Sequence, residues 1–98
     1  MRFILCLTPT AQSTLAELKK SPHFSKRFKA VVKALNFLSE NPRHPSLQTH
    51  KYQSLKGPQG EEVFEACAQQ NTPAAYRIFF VYGPPRNEIT IIAITPHP

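Results

Sequence analysis

Tyr76-Arg-Ile-Phe-Phe-Val-Tyr82 is the stretch on which the fold turns. Aromatic and β-branched residues fill it, glycine and proline are absent, and with Ala75 it reads as a strand from Ala75 to Tyr82. Two comparable runs flank it, Glu62 to Ala68 before and Glu88 to Thr95 after. Asn71-Thr72-Pro73 separates the first pair of strands and Gly83-Pro84-Pro85-Arg86-Asn87 the second. Connections this short join antiparallel neighbours, which makes a three-stranded meander. Arg77 is the anomaly in the central run. It alternates away from Tyr76, Ile78, Phe80 and Tyr82 and shares a face with Phe79 and Val81. An arginine in so apolar a strand needs either a partner or an open, wet sheet face.

Upstream, Arg2-Phe-Ile-Leu-Cys-Leu7 is a short apolar strand. Thr8 offers a helix N-cap, and Pro9 suits the first helical position. Ala11, Leu15 and Leu18 recur at helical spacing until Ser21-Pro22 breaks the chain. Phe24, Phe28, Val31, Leu35 and Leu38 then form one continuous apolar stripe, which reads as core. Asn41-Pro42 ends this second helix, because a residue before proline is pushed out of the helical region. Two helices so closely joined form an antiparallel hairpin. Lys26, Arg27, Lys29 and Lys33 lie mostly off the stripe, on a solvated helix surface, with a phosphate-binding face as the alternative. From Asn41 to Gly60 the sequence is polar and without period, with three prolines and two glycines. A structureless stretch of that length is unusual inside a compact domain, so it is either a functional loop or an unrecognised short strand.

The order expected is therefore β-α-α-β-β-β, an α+β fold in which the helical hairpin packs on one face of a small, mainly antiparallel sheet. The other face is left for binding. The 98 residues, 41 % of them hydrophobic, suit a single domain over residues 1–98. The net charge of +6 favours a polyanion or an acidic protein as partner. No apolar run approaches the ~20 residues of a membrane span, and Phe3 to Leu7 is too short for a signal-peptide core, so a cytoplasmic protein is expected. Cys6 and Cys67 sit in apolar runs and read as buried thiols, with a disulfide or a reactive thiol at Cys67 as the alternatives. His23 and His44 have no ligand spacing with the other histidines, so neither a metal site nor a cofactor is expected.

The element order, with Tyr76-Arg-Ile-Phe-Phe-Val-Tyr82, Ser54-Leu-Lys-Gly57 running into Glu62-Val-Phe-Glu65, and the ending Ile91-Ile-Ala-Ile-Thr-Pro-His-Pro98, resembles the RelE/ParE superfamily of type II toxins. The likeness covers nearly the whole chain. It implies a RelE-like fold, a cognate antitoxin that wraps the toxin, and cleavage of mRNA, mostly on the ribosome. In the ParE branch it implies inhibition of DNA gyrase without catalysis. A RelE-fold interaction protein that has lost catalysis is a further alternative.

Metal-free RNA cleavage needs a base near the 2′-OH, cations on the phosphorane-like transition state, and an acid for the leaving 5′-oxygen. The aromatic–Arg–aliphatic match assigns Arg77 to the phosphate, where a planar guanidinium grips oxygens in pairs. The alternative is a structural salt bridge from Arg77 to Glu65 or Glu88. His97 matches the terminal histidine of the YoeB and HigB-like branches, against the alternative of a frayed end. Pairing Tyr82 with Glu88 would set Arg77 opposite Ala93 and put residues 93, 95 and 97 on its face, provided no bulge intervenes. His50 and Lys51, in the polar stretch before the sheet, are candidate bases, and Lys56 and Glu65 are candidate substrate contacts. The RelE branch carries two lysines on the strand that here offers Glu65 and Cys67, and this chain ends in Pro98 rather than an aromatic or basic residue. The general base is thereby left unassigned.

Overall fold

The computed structural model describes residues 2–68 and 75–96. The expected turn at Asn71-Thr72-Pro73 and the terminal His97 lie outside the described residues. The chain runs β1 (Ile4–Leu7), α1 (Pro9–Lys20), a 3-10 turn (Pro22–Phe24), α2 (Ser25–Glu40), a second 3-10 turn (Pro45–Leu47), β2 (His50–Lys56), β3 (Glu62–Cys67), β4 (Tyr76–Tyr82) and β5 (Glu88–Pro96). One five-stranded sheet has the order β1-β5-β4-β3-β2. Its pairs are antiparallel except β1 with β5, which is parallel. The α+β architecture is the one expected, with one strand more. No described helix is long and apolar enough to cross a membrane.

The start of α1 and the ends of both helices fall at the residues named from sequence. The Thr8 hydroxyl accepts from the Ala11 N–H at 3.2 Å, Pro9 opens α1, and Asn41 caps the end of α2. Ala11 and Leu18 of α1 and Val31, Ala34, Leu35 and Leu38 of α2 are buried against Ala66, Ile78, Phe80, Ile89, Ile91 and Ile94 of the sheet. Phe24 departs from the expected stripe. Pro22 starts a 3-10 turn through Phe24, which lifts that ring to 37 % exposure instead of carrying it into the core.

The extra strand is β2, in the stretch that had no period. Its burial is intermediate at Tyr52 and exposed elsewhere, because it is an edge strand paired only to β3. An edge that buries almost nothing leaves no alternation to read. The sheet face away from the helices is likewise not bare. Val63, Phe79 and Val81 are buried there, with Tyr52, Ile92 and Ala93 packed against them. The turn after β2 folds over this patch at Gly57, where an added Cβ would lie 3.1 Å from Val81 Cγ1. Cys6, on the opposite edge strand, is exposed rather than buried, and Cys67 is partly buried.

The register of the last hairpin differs from the expected one in two ways. Tyr82 opposes Ile89 rather than Glu88, and a bulge between Phe79 and Phe80 leaves Ile92 as the extra residue of β5. Arg77 therefore opposes Thr95 rather than Ala93. Each slip alone would move Arg77's neighbours to the other face; together they restore it, and Ala93 and Thr95 remain on Arg77's side. The bulge is held from outside the hairpin. The Thr8 hydroxyl donates to the Ile92 carbonyl at 2.7 Å, and the Thr8 N–H donates to the Ile91 carbonyl at 3.0 Å.

Thr8 thus both caps α1 and pins the bulge. Thr8→Val should cost roughly 1–2 kcal/mol in urea unfolding, the upper range for loss of an N-cap, whereas Thr10→Val on the exposed side of α1 should stay within about 0.5 kcal/mol. Equal effects at the two positions would contradict this role.

Candidate functional site

Three adjacent strands bring three titratable or charged residues to one end of the sheet. His50 of β2 lies opposite Glu65 of β3, and Arg77 of β4 lies opposite Cys67, one step diagonal from Glu65. Diagonal neighbours stand ~7–8 Å apart, within reach of an arginine. Glu65 is the pivot. Its Oε2 lies 2.6 Å from Arg77 Nη1 and its Oε1 lies 2.7 Å from His50 Nε2. The carboxylate side chain is only 7 % exposed and that of Arg77 19 %, whereas the His50 side chain is 55 % exposed.

The pair is close but not well aligned. Glu65 Oε2 and Arg77 Nε have no hydrogen-bond partner among the described residues, so charge rather than directed bonding joins them. The Arg77 guanidinium carbon also sits 5.1 Å from the centre of the Phe79 ring, a further attraction for the cation. Burial pushes the neighbouring Cys67 thiol up from its ordinary pKa; Glu65 adds to this and Arg77 opposes it. A reactive thiolate at Cys67 gains no support.

His50 has a second neighbour. Its Nδ1 lies 2.9 Å from the Gln48 carbonyl, and Gln48 holds a left-handed backbone at φ 49°. A neutral imidazole has one N–H and can donate to only one of two facing oxygens. With Nε2–H given to Glu65, Nδ1 is the nitrogen left for proton transfer, and the ring must turn from Gln48 to use it. Its exposure permits that.

The structure thus joins His50, Glu65 and Arg77, candidates read separately from the sequence, and leaves the others apart. Lys51 opposes Phe64 on the helix side of the sheet, 3.4 Å from the Glu62 carboxylate, in an exposed pair of little energetic weight. Lys56 lies at the far end of β2, in register with Glu62. Lys26, Lys29 and Lys33 are exposed, as expected, and border a cleft of about 550 Å³ with Phe37, Leu47 and Cys67.

Sequence reading missed a second cleft beside His50, of about 440 Å³, whose lining includes Arg43, Lys51, Phe64 and Tyr82. Tyr82 stands 39 % exposed at the end of β4, its ring 5.2 Å from that of Phe64 and 5.6 Å from that of Phe80. Burial raises the Tyr82 hydroxyl pKa, and a hydrogen bond and charge from Arg43 oppose the rise. The signal available was the cationic character of residues 43–51, which without a strand there had no place in space.

Neither a family model nor a curated protein matches the sequence. Solved structures do match in fold. The RelE chain of an archaeal RelE–RelB complex from Pyrococcus horikoshii superposes with a TM-score of 0.66 at 15 % identity, over 98 % of this chain and 96 % of that one. The YoeB dimer structure from Staphylococcus aureus gives 0.69 at 15 % identity over 100 % of both chains. A YoeB/ParE toxin from Agrobacterium tumefaciens gives 0.69 at 9 % identity, over 97 % and 99 %. The chain therefore has the fold of the RelE and YoeB toxins, as its resemblance to the superfamily implied.

The buried ion pair carries its own prediction. Arg77→Ala leaves Glu65 with only an exposed imidazole, and should cost about 3 kcal/mol in urea unfolding, the low end for stranding one charge of a buried pair. Adding Glu65→Gln should recover most of that loss. A single variant as stable as the parent would mean that the pair is not holding β3 to β4.

Proposed function

We propose that this chain is the toxin of a toxin–antitoxin pair and that it cuts RNA, with His50 and Glu65 as the proton-handling part of the site. The observation that carries the reading is an exposed imidazole held by a buried carboxylate, itself balanced by an arginine, at one end of the sheet of a RelE-like fold. A carboxylate that holds one ring nitrogen sets the tautomer and steadies the imidazolium that forms when the other nitrogen takes a proton.

The reaction follows from those parts. His50 Nδ1 takes the proton of the ribose 2′-OH, and the 2′-oxygen attacks the adjacent phosphorus. As the 2′-O–P bond forms, the P–O5′ bond breaks, and an acid protonates the leaving 5′-oxygen. The products are a 2′,3′-cyclic phosphate and a 5′-hydroxyl. Glu65 orients His50 and offsets the charge it gains. Arg77 positions Glu65 and has its remaining N–H groups for a phosphate oxygen. His97, from the resemblance, is the proposed acid; Lys56 contacts the RNA backbone further along β2. The RNA is proposed to be mRNA, on the ribosome. The partner is proposed to be an antitoxin: the Pyrococcus RelE was solved with RelB, and a +6 chain suits an acidic wrapping segment.

One observation favours a second reading. Arg77 is mostly buried against Glu65, which is how a structural arginine sits. A ParE-like gyrase inhibitor, or a RelE-fold interaction protein without catalysis, would need no more.

Inducing the protein without an antitoxin should stop a bacterial host, with translation failing before DNA synthesis in pulse labelling. His50→Gln should slow RNA cleavage by roughly 10²–10⁴-fold while unfolding like the parent, and RNA with a 2′-O-methyl at the scissile position should resist cutting. If DNA synthesis fails first and RNA stays whole, the gyrase reading replaces this one.

A further inference from the structure

The cleft beside His50 has a chemistry of its own. Tyr82 and Phe64 meet at an interplanar angle of 76°, so two aromatic walls form a corner. Arg43 reaches the Tyr82 hydroxyl, and His50 and Lys51 line the same space. Among the described residues, no carboxylate contributes to the lining. The volume of about 440 Å³ falls in the range of roughly 300–1,000 Å³ usual for small-molecule sites. The surrounding backbone is firmly held: Leu47 is buried in the main core, and the Thr49 hydroxyl donates to the Pro42 carbonyl at 2.7 Å.

Cations alone would accept any acidic ligand. An exposed aromatic ring among cations, on a fixed backbone, is the pattern that binds single-stranded nucleic acid, where the base stacks and the phosphate is paired. An acidic peptide would use Arg43 and Lys51 but leave the ring corner unfilled. We infer that this cleft is a subsite for one nucleotide of single-stranded RNA, the base lying against Tyr82 and the phosphate held by Arg43 and Lys51. The inference rests on RNA being the target and adds where the strand sits. His50 borders this cleft, while its partner Glu65 lies on the other face of the sheet, so a strand seated here would have to pass over the β2 edge to reach the imidazole. The base is recognised by its face, so the subsite takes any base and prefers those that stack well.

The test uses a fluorescent RNA tetranucleotide carrying 2′-O-methyl groups, read by anisotropy. Tyr82→Ala should weaken binding about 10-fold or more, because one stacked base is worth about 1–3 kcal/mol. Tyr82→Phe should stay within about 2-fold of the parent. Because Tyr82 also packs on Phe80, Arg43→Gln serves as a variant at an exposed position; it should weaken binding several-fold and flatten the salt dependence. Unchanged affinity in both Tyr82→Ala and Arg43→Gln would overturn the subsite, as would no binding by the parent or displacement of the RNA by a polyglutamate peptide at equal charge. The two proposals fail separately. RNA cut in a His50-dependent way with no Tyr82 dependence of affinity removes the subsite alone. Tyr82-dependent binding of RNA that is never cut, even without the 2′-O-methyl groups, removes the cleavage alone.

Discussion

Strand β4 is buried on both faces, and most of the molecule follows from that. Ile78 and Phe80 face the helices, while Phe79 and Val81 face the smaller cluster under Tyr52 and Gly57. A strand so enclosed has little water to offer the one charged residue it carries. Arg77 sits at its end, where the cost of desolvation is met by Glu65 on the next strand. Glu65 is in turn the one charged residue counted among the buried side chains of the described chain, and its second oxygen takes up His50 on the edge. The cluster proposed as a site is thus the point where a doubly buried strand meets solvent.

The other constraint lies at the opposite side of the sheet. A bulge at Ile92 sets which residues of β5 face Arg77, and the bulge is satisfied by Thr8 at the junction of β1 and α1. A carbonyl freed by a bulge would otherwise stand without a partner beside the core. One hydroxyl therefore links the start of the helical hairpin to the register of the last hairpin, and so to the surface around Arg77.

The parts of the fold that bury apolar surface were legible, because burial writes a period into the sequence. Val31, Leu35 and Leu38 placed α2, and Tyr76 to Tyr82 placed the central strand. His50-Lys-Tyr-Gln-Ser-Leu-Lys56 buries almost nothing and so read as loop, although it pairs with β3 along one side. The bulge was invisible for a similar reason: it depends on a hydroxyl more than 80 residues away. At the site, the residue types His50, Glu65 and Arg77 were each recognised. Their meeting was foreseen only in part, as a salt bridge of Arg77 to Glu65 or Glu88, because His50 had no strand to stand on. Tyr82 and Arg43 were missed, since each looks ordinary until β2 and the turn at Pro45–Leu47 close a cleft around them.

Two basic surfaces compete as the place where RNA meets this protein: the ring-lined cleft beside His50, and the lysine-bordered cleft of α2. The first sets the Tyr82 and Phe64 rings beside Arg43 and Lys51, and the second sets its lysines around Phe37, whose ring is already stacked on His44 at 4.1 Å. Backbone amide shifts on adding an uncleavable RNA decide between them directly. The account predicts shifts concentrated at His50, Lys51, Glu65 and Tyr82, with Lys26 to Lys33 nearly still. Shifts confined to α2, with β2 and the end of β4 unmoved, would contradict it.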